Sequence, residues 1–209
     1  MAYARLSPNA IGAVITYLEM TERPSPPSVV SDLRLERLPR PKGDRYRDLF
    51  KKVGQTWLWF ERLTLTNREL RLLIQDPAVE IYVVADRSGE EVGMVELDFR
   101  QKPICNLAYI GLLPELTGRG HGAWLLGRAL ELAWDRPIEK VTVNTCTLDH
   151  PAALKSYLRA GFKVRERAVG TFVDPRLRGL LPIDAAPQIP TIDRSSLAGE
   201  TGTTENSVG

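Results

Sequence analysis

The apolar run ICNLAYIGLL at 104–113 leads straight into PELTGRGHGAWLLGRALELAW at 114–134. The first stretch reads as a buried strand. From residue 120 the second reads as a helix, with apolar residues at helical spacing. Between them Gly118, Gly120 and Gly122 alternate with Arg119 and His121. Glycine loses more backbone freedom on folding than any other residue, so three in one turn need a reason. A strand, a tight loop and a helix N-terminus leave backbone N–H groups unpaired at the positive end of the helix dipole, where an anion is favoured. The same unit constrains the fold, because its strand needs neighbours and its helix must pack back on them.

Those neighbours follow from patterning. IGAVITYLEM at 11–20 reads as a strand, and 29–38 as an imperfect one. RPSPPS at 23–28 and PRPKGD at 39–44 break the chain. Residues 44–63 show helical spacing that Gly54 divides into two short helices, and Asn67 caps a further helix through Gln75. Strands follow at 79–86 and 91–100, joined by the hairpin signal RSGE. After the helix of 120–134 come a strand at IEKVTVNT, a helix from Pro151 to Ala160 stopped by Gly161, and a closing strand or hairpin, FKVRERAVGTFV. Residues 185–209 are rich in Pro, Ser, Thr and Gly and are expected to form a disordered tail behind a single domain of residues 1–184. The expected class is mixed α/β around one sheet.

Three designs place an anion on such a loop. A P-loop needs Gly-Lys-Ser/Thr, which is lacking here. Gly118, Gly120 and Ala123 match the dinucleotide spacing G-x-G-x-x-G/A, but antiparallel strands precede the loop, and the next strand ends in Asn144 and Thr145 instead of an acid.

The third design is an acyl-CoA loop. Leu112, Leu113 and Pro114, followed by Thr117-Gly118-Arg119-Gly120-His121-Gly122-Ala123, resemble the loop of the GCN5-related N-acetyltransferases, the GNAT superfamily. Thr117 stands where that family usually has Arg or Gln. A second segment, NTCTLDHPAALKSYLRAGF, is similar to the family's other CoA element, with Ala153, Tyr157 and Gly161-Phe162 in register and His150 in place of the usual Asn. The strings ELDFR, WLW and TCTLDHP also resemble a bacterial subgroup. The resemblance covers residues 80–168 well and the first third only in topology. It implies a central, mostly antiparallel sheet with two splayed parallel strands, at 106–113 and 139–145, flanked by helices. It further implies acetyl-CoA as co-substrate, held by the loop residues and by Asn144, His150, Ala153 and Tyr157, and an amine acceptor from a small molecule or protein.

Residue roles follow from the chemistry of acetyl transfer to an amine. The ammonium must lose a proton from a pKa of about 10, and the departing thiolate must be stabilised. The resemblance places Tyr157 as general acid, and a phenol suits the task, being neutral at pH 7 and a good donor. Glu96 and Asp98, on one face of the strand beside the active-site strand, are the candidate bases; a solvated polar face explains them equally well. Tyr46, Trp57 and Trp59 fall in the region that overhangs the acceptor in the family, where they would cover the amine or pack in the core. His121 is expected over the phosphates or at the surface, and Cys146 as a small buried residue near the thioester. An acyl-CoA-binding module without catalysis is the competing function.

Other classes are excluded more simply. A net charge of +2 over 209 residues gives no support to nucleic-acid binding. With no run of 18 apolar residues and no visible secretory signal, no membrane association is expected. The two cysteines, Cys105 and Cys146, lack redox or zinc spacing and fit reduced thiols in a cytoplasmic protein. No metal site is expected, since His121 and His150 lie in different elements. The sequence leaves a homodimer open.

Overall fold

The computed structural model describes residues 5–25 and 29–192. Seven strands form one sheet: β1 Ala10–Met20, β2 Arg34–Arg37, β3 Val79–Ala85, β4 Glu91–Asp98, β5 Ile104–Leu112, β6 Lys140–Cys146 and β7 Lys163–Val173. Their order across the sheet is β2-β3-β4-β5-β6-β1-β7. Every neighbouring pair is antiparallel except β5 with β6. The expected class, a mostly antiparallel mixed sheet with one parallel pair and flanking helices, is the one observed.

The period-2 patterning of the strands separates two cores. On one face Val79, Ile81, Val83 and Met94 pack against α1 (Gly43–Gly54) and α2 (Asn67–Ile74), with Tyr46, Phe50, Leu70 and Ile74 buried between. On the other face Val84, Val95, Leu97, Leu107 and Val143 pack against α3 (His121–Trp134) through Leu125, Leu126, Ala129 and Leu130. Tyr157, on the short α4 (Ala153–Arg159), joins this second core.

Several local expectations shift. The strand expected over 29–38 is reduced to the four residues of β2. α2 is capped by Thr66 instead of Asn67: the Thr66 side chain accepts from the Glu69 N–H, and Glu69 reaches back to the Thr66 N–H in a capping box. The second helix expected after Gly54 is replaced by two 3-10 turns, Gln55–Trp57 and Glu61–Leu63. Leu58, at φ 53°, turns the chain between them and cannot belong to a helix. β5 is only partly buried, because its second half faces a cavity.

The boundary of the tail also moves. Ala185 and Ala186 are buried with Leu181 against Leu58, and Ile189 packs beside them. Arg176 is buried and holds the segment together: Nε and Nη2 donate to the Asp174 carboxylate, while Nη1 donates to the carbonyls of Ala185, Ala186 and Ile189. Residues 185–190 therefore belong to the packed structure. Of the expected tail, 193–209 lies outside the described residues.

Candidate active site

The parallel pairing of β5 with β6 is brief. It joins Ile104, Cys105 and Asn106 to Lys140, Val141 and Thr142 and then stops, although β5 continues to Leu112 and β6 to Cys146. The other edge of β5 is irregular at the same place. Leu97 pairs with Leu107 and Glu96 with Tyr109, so Ala108 is an extra residue in that ladder. A bulge bends its strand, and here it coincides with the parting of β5 from β6. On its far side β6 stays paired with β1 along its length, so only one edge of each strand is opened. A cavity of about 630 Å³ fills the fork, lined by residues of both strands.

The Gly-rich loop closes one side. Gly118 (φ 80°) and Gly120 (φ 82°) take left-handed conformations that other residues seldom adopt. Thr117 N–H bonds to Pro114, and Ala123 N–H to Gly120, but the five N–H groups from Gly118 to Gly122 have no partner among the described residues. Leu112, Thr117, Gly118 and Gly122 line the cavity; Leu113, Arg119, Gly120 and Ala123 do not. His121 turns away, its Nδ1 2.8 Å from the Ser31 hydroxyl and its Nε2 3.9 Å from Asp32, so it ties the helix start to the loop before β2.

The second CoA-like segment lies opposite. Asn144, His150, Ala153 and Tyr157 all line the cavity. His150 Nδ1 accepts from the Ala152 N–H at 3.0 Å, and its ring meets Trp57 edge-on at 5.2 Å. Tyr157 packs edge-on to Phe162. Burial, and next the nearby Asp149 carboxylate, push its phenol well above the usual tyrosine range, so it is a proton donor at neutral pH. Cys146 also faces the cavity, its thiol pushed up by burial and then by Asp149.

The two candidate bases are placed elsewhere. Glu96 is fully buried beneath the cavity wall, with both carboxylate oxygens engaged: Tyr46 OH donates at 2.5 Å and Arg62 Nη2 at 2.6 Å. Asp98 is gripped by the Arg100 guanidinium at 2.6–3.1 Å. Burial alone would raise its pKa, but Arg100 outweighs it and holds the carboxyl below its usual range. Neither residue lines the cavity, and neither does Tyr46, which is core. Trp57 and Trp59 do line it.

The residues missed from the sequence are Glu61 and Asp149. Glu61 is exposed on the cavity wall and accepts from Tyr109 OH at 3.2 Å. Its signal was an acid directly after the aromatic run WLWF. Asp149 Oδ2 accepts from the Thr145 hydroxyl and the Cys146 N–H, both at 2.8 Å, fixing the end of β6. An Asp bonding back to nearby backbone is a common turn device. Among the described residues no cluster of His, Cys, Asp and Glu has the makings of a metal site, and no helix is long and apolar enough to cross a membrane.

Solved structures share this architecture. A GCN5-related N-acetyltransferase from Sphaerobacter thermophilus superposes with a TM-score of 0.59 at 16% identity, over 77% of this chain and 51% of that one. A GNAT-family protein from Novosphingobium aromaticivorans gives 0.54 at 15% identity, over 80% and 68%. An aminoglycoside acetyltransferase from an uncultured soil metagenomic sample, solved with sisomicin, gives 0.53 at 15% identity, over 66% and 93%. The chain thus spans about half the length of the Sphaerobacter protein. No curated protein matches it in sequence. At these identities the likeness is one of fold, but the family model "Acetyltransferase (GNAT) family" matches residues 44–162, more than half of the chain and the whole of the fork, the loop and α4. The chain belongs to the acetyltransferase (GNAT) family.

Proposed function

We propose that the protein transfers the acetyl group of acetyl-CoA to a primary amine by direct attack. The observation that carries this reading is the fork itself: two strands with facing unpaired edges, a row of five free N–H groups at one side and the Tyr157 phenol at the other. The N–H row and the positive end of α3 suit a pyrophosphate. The open edges suit the amides of an extended pantetheine arm, which would bring the thioester toward Tyr157. Positioning of this kind can supply much of a barrier reduction.

In the reaction the neutral amine nitrogen attacks the thioester carbonyl, and the C–S bond breaks. The sulfur leaves with the proton of the Tyr157 hydroxyl, and the phenolate regains, through water, the proton that the nitrogen sheds as the amide forms. The proton lost by the ammonium passes to water or to a cavity carboxylate. Glu96 is not that carboxylate in this geometry, because Arg62 and Tyr46 occupy it.

Calorimetry with acetyl-CoA and with NADH, followed by thiol release with a panel of amines, tests the proposal. Acetyl-CoA binding with amine-dependent thiol release is expected. NADH binding without acetyl-CoA binding would reject it, and acetyl-CoA binding without turnover of any amine would favour a silent acyl-CoA-binding module.

A further inference from the structure

The part of the cavity lined from outside the two CoA-like segments has a composition of its own. Trp57, Trp59, Phe60, Tyr109 and Phe172 line it. Four of them pack in two pairs, with ring centroids 5.0 Å apart for Trp59 and Tyr109 and 4.8 Å for Phe60 and Phe172, while Trp57 meets His150. Ala13 and Ile15 of β1 extend this apolar wall.

Charge is scarce there and mostly committed. The Arg62 guanidinium lies 4.9 Å over the Tyr109 ring and is paired with Glu96. Asp149 is tied to the end of β6 by its two bonds. Glu61 is different. It is exposed, no cation pairs with it among the described residues, and its carboxylate receives only two long bonds, from Tyr109 OH at 3.2 Å and Phe60 N–H at 3.3 Å.

Resting on the acetyl-transfer reading, we infer that the acceptor is a hydrophobic monoamine, with its aromatic or branched aliphatic body in the aromatic box and its single ammonium on Glu61. Aromatic faces favour an apolar body and tolerate a cation beside them. One free carboxylate matches one ammonium. A polyamine or aminoglycoside would bring further ammonium groups against Trp57, Phe60 and Phe172, where each would lose water without gaining a partner.

The test uses the full chain and four amines: 2-phenylethylamine, 3-methylbutylamine, spermidine and sisomicin. Thiol release should give kcat/KM for the first two at least ~10-fold above the last two. Glu61→Gln, a surface change that leaves the fold intact, should raise KM for 2-phenylethylamine by at least ~10-fold. The same variant should leave acetyl-CoA binding and inhibition by the uncharged 2-phenylethanol unchanged, results that a merely structural role for Glu61 would not give. Equal or better turnover of spermidine or sisomicin would overturn the inference, as would an unchanged KM in Glu61→Gln. Quenching of tryptophan fluorescence by 2-phenylethylamine reads the box without any chemistry. Loss of acetyl-CoA binding in the wild type, with that quenching intact, would strike the acetyl-transfer reading and leave the amine box standing.

Discussion

Arg176 should hold the acceptor wall in place from behind, and replacing it with leucine tests this. Its guanidinium makes a two-pronged pair with Asp174, 3.0 Å from Nε and 2.8 Å from Nη2. It also caps the Ala185 and Ile189 carbonyls at 3.0 and 2.9 Å. Both charged side chains are buried. Arg176→Leu leaves the Asp174 carboxylate and those carbonyls inside the protein without a donor. Removing one partner of a buried pair costs about 3–5 kcal/mol. For a chain of this size each kcal/mol is worth about 2–4 °C in Tm, so a fall of roughly 6–20 °C is expected by circular dichroism. Because Leu181, Ala185 and Ala186 bury Leu58, and Gln188 donates to the Thr56 carbonyl at 2.6 Å, KM for the amine should rise as well. Removing residues 185–209 takes away the carbonyl partners and the Ala185–Ala186 packing but leaves the Asp174 pair, so it should lower Tm by less. Adding Asp174→Asn to Arg176→Leu should recover part of the loss, since it removes the stranded charge. A Tm within about 2 °C of wild type, with the segment still resistant to trypsin, would refute the reasoning. An unchanged Tm with rapid cleavage at Arg178 would show instead that the segment comes away alone, which refutes the claim that it and the acceptor wall are one unit.

Other consequences are narrower. Gly120→Asp puts a carboxylate beside the free N–H row, where the added Cβ meets no atom within 4 Å and aspartate tolerates the left-handed backbone; acetyl-CoA affinity should fall at least ~10-fold in a folded protein, by calorimetry. Tyr157→Phe keeps the ring against Phe162 and removes only the hydroxyl, so kcat should fall by ~10²–10⁴ with the acetyl-CoA Kd unchanged, provided single-turnover kinetics show that chemistry is the slow step. Glu80 has its carboxyl below the usual range: burial pushes it up, but the Tyr82 hydroxyl and the Arg136 and Arg37 guanidinium groups outweigh that. A carboxyl with a lowered folded pKa adds stability that is present above its unfolded pKa and is lost as pH falls through the folded value. Glu80→Gln should therefore lower Tm at pH 7, with the difference from wild type shrinking below about pH 4.

How far the sequence could be read depended on how local each feature's physics is. β3 and β4 announced themselves by short apolar runs around RSGE, and α3 by periodicity after glycine. The Thr66 cap is equally local, since T-x-x-E spells a capping box, but Asn67 one residue later is an equally good cap residue by type. Glu96 shows the opposite case. Its place on an alternating strand was legible. The guanidinium that occupies it comes from Arg62, in a turn more than thirty residues earlier, and no pattern within either segment signals the pair. The segment at 185–190 misled for the same reason. Its composition holds little apolar mass, and what secures it is one arginine nine residues before Ala185, whose donors match backbone carbonyls.

That contrast also explains why the end of the cavity proposed for the co-substrate resembled something known while the end proposed for the acceptor did not. The anion cradle, the fork and α4 come from residues 104–159, consecutive in the chain, and depend on backbone N–H groups, a bulge and helix starts, which short motifs encode. The proposed acceptor end joins Tyr109 of β5 to three distant pieces: Ala13 and Ile15 of β1, the turns of 55–63, and Gly170 and Phe172 of β7. β1 reaches the site only because it lies between β6 and β7, pairing Ile15 with Cys146 on one side and Ala168 on the other. An N-terminal strand thus braces the β6 side of the fork and walls the proposed acceptor site at once. A change in β1 that alters side-chain size at Ile15 acts on both ends through one element. Ile15→Ala opens space beside Gly170, whose hypothetical Cβ would stand 2.8 Å from Ile15, and removes apolar wall without touching the Gly-rich loop. It should therefore change the preference among amines more than the affinity for acetyl-CoA, as measured by kcat/KM across the same four amines. A loss of acetyl-CoA affinity with the amine order unchanged would mean that β1 serves the fork alone.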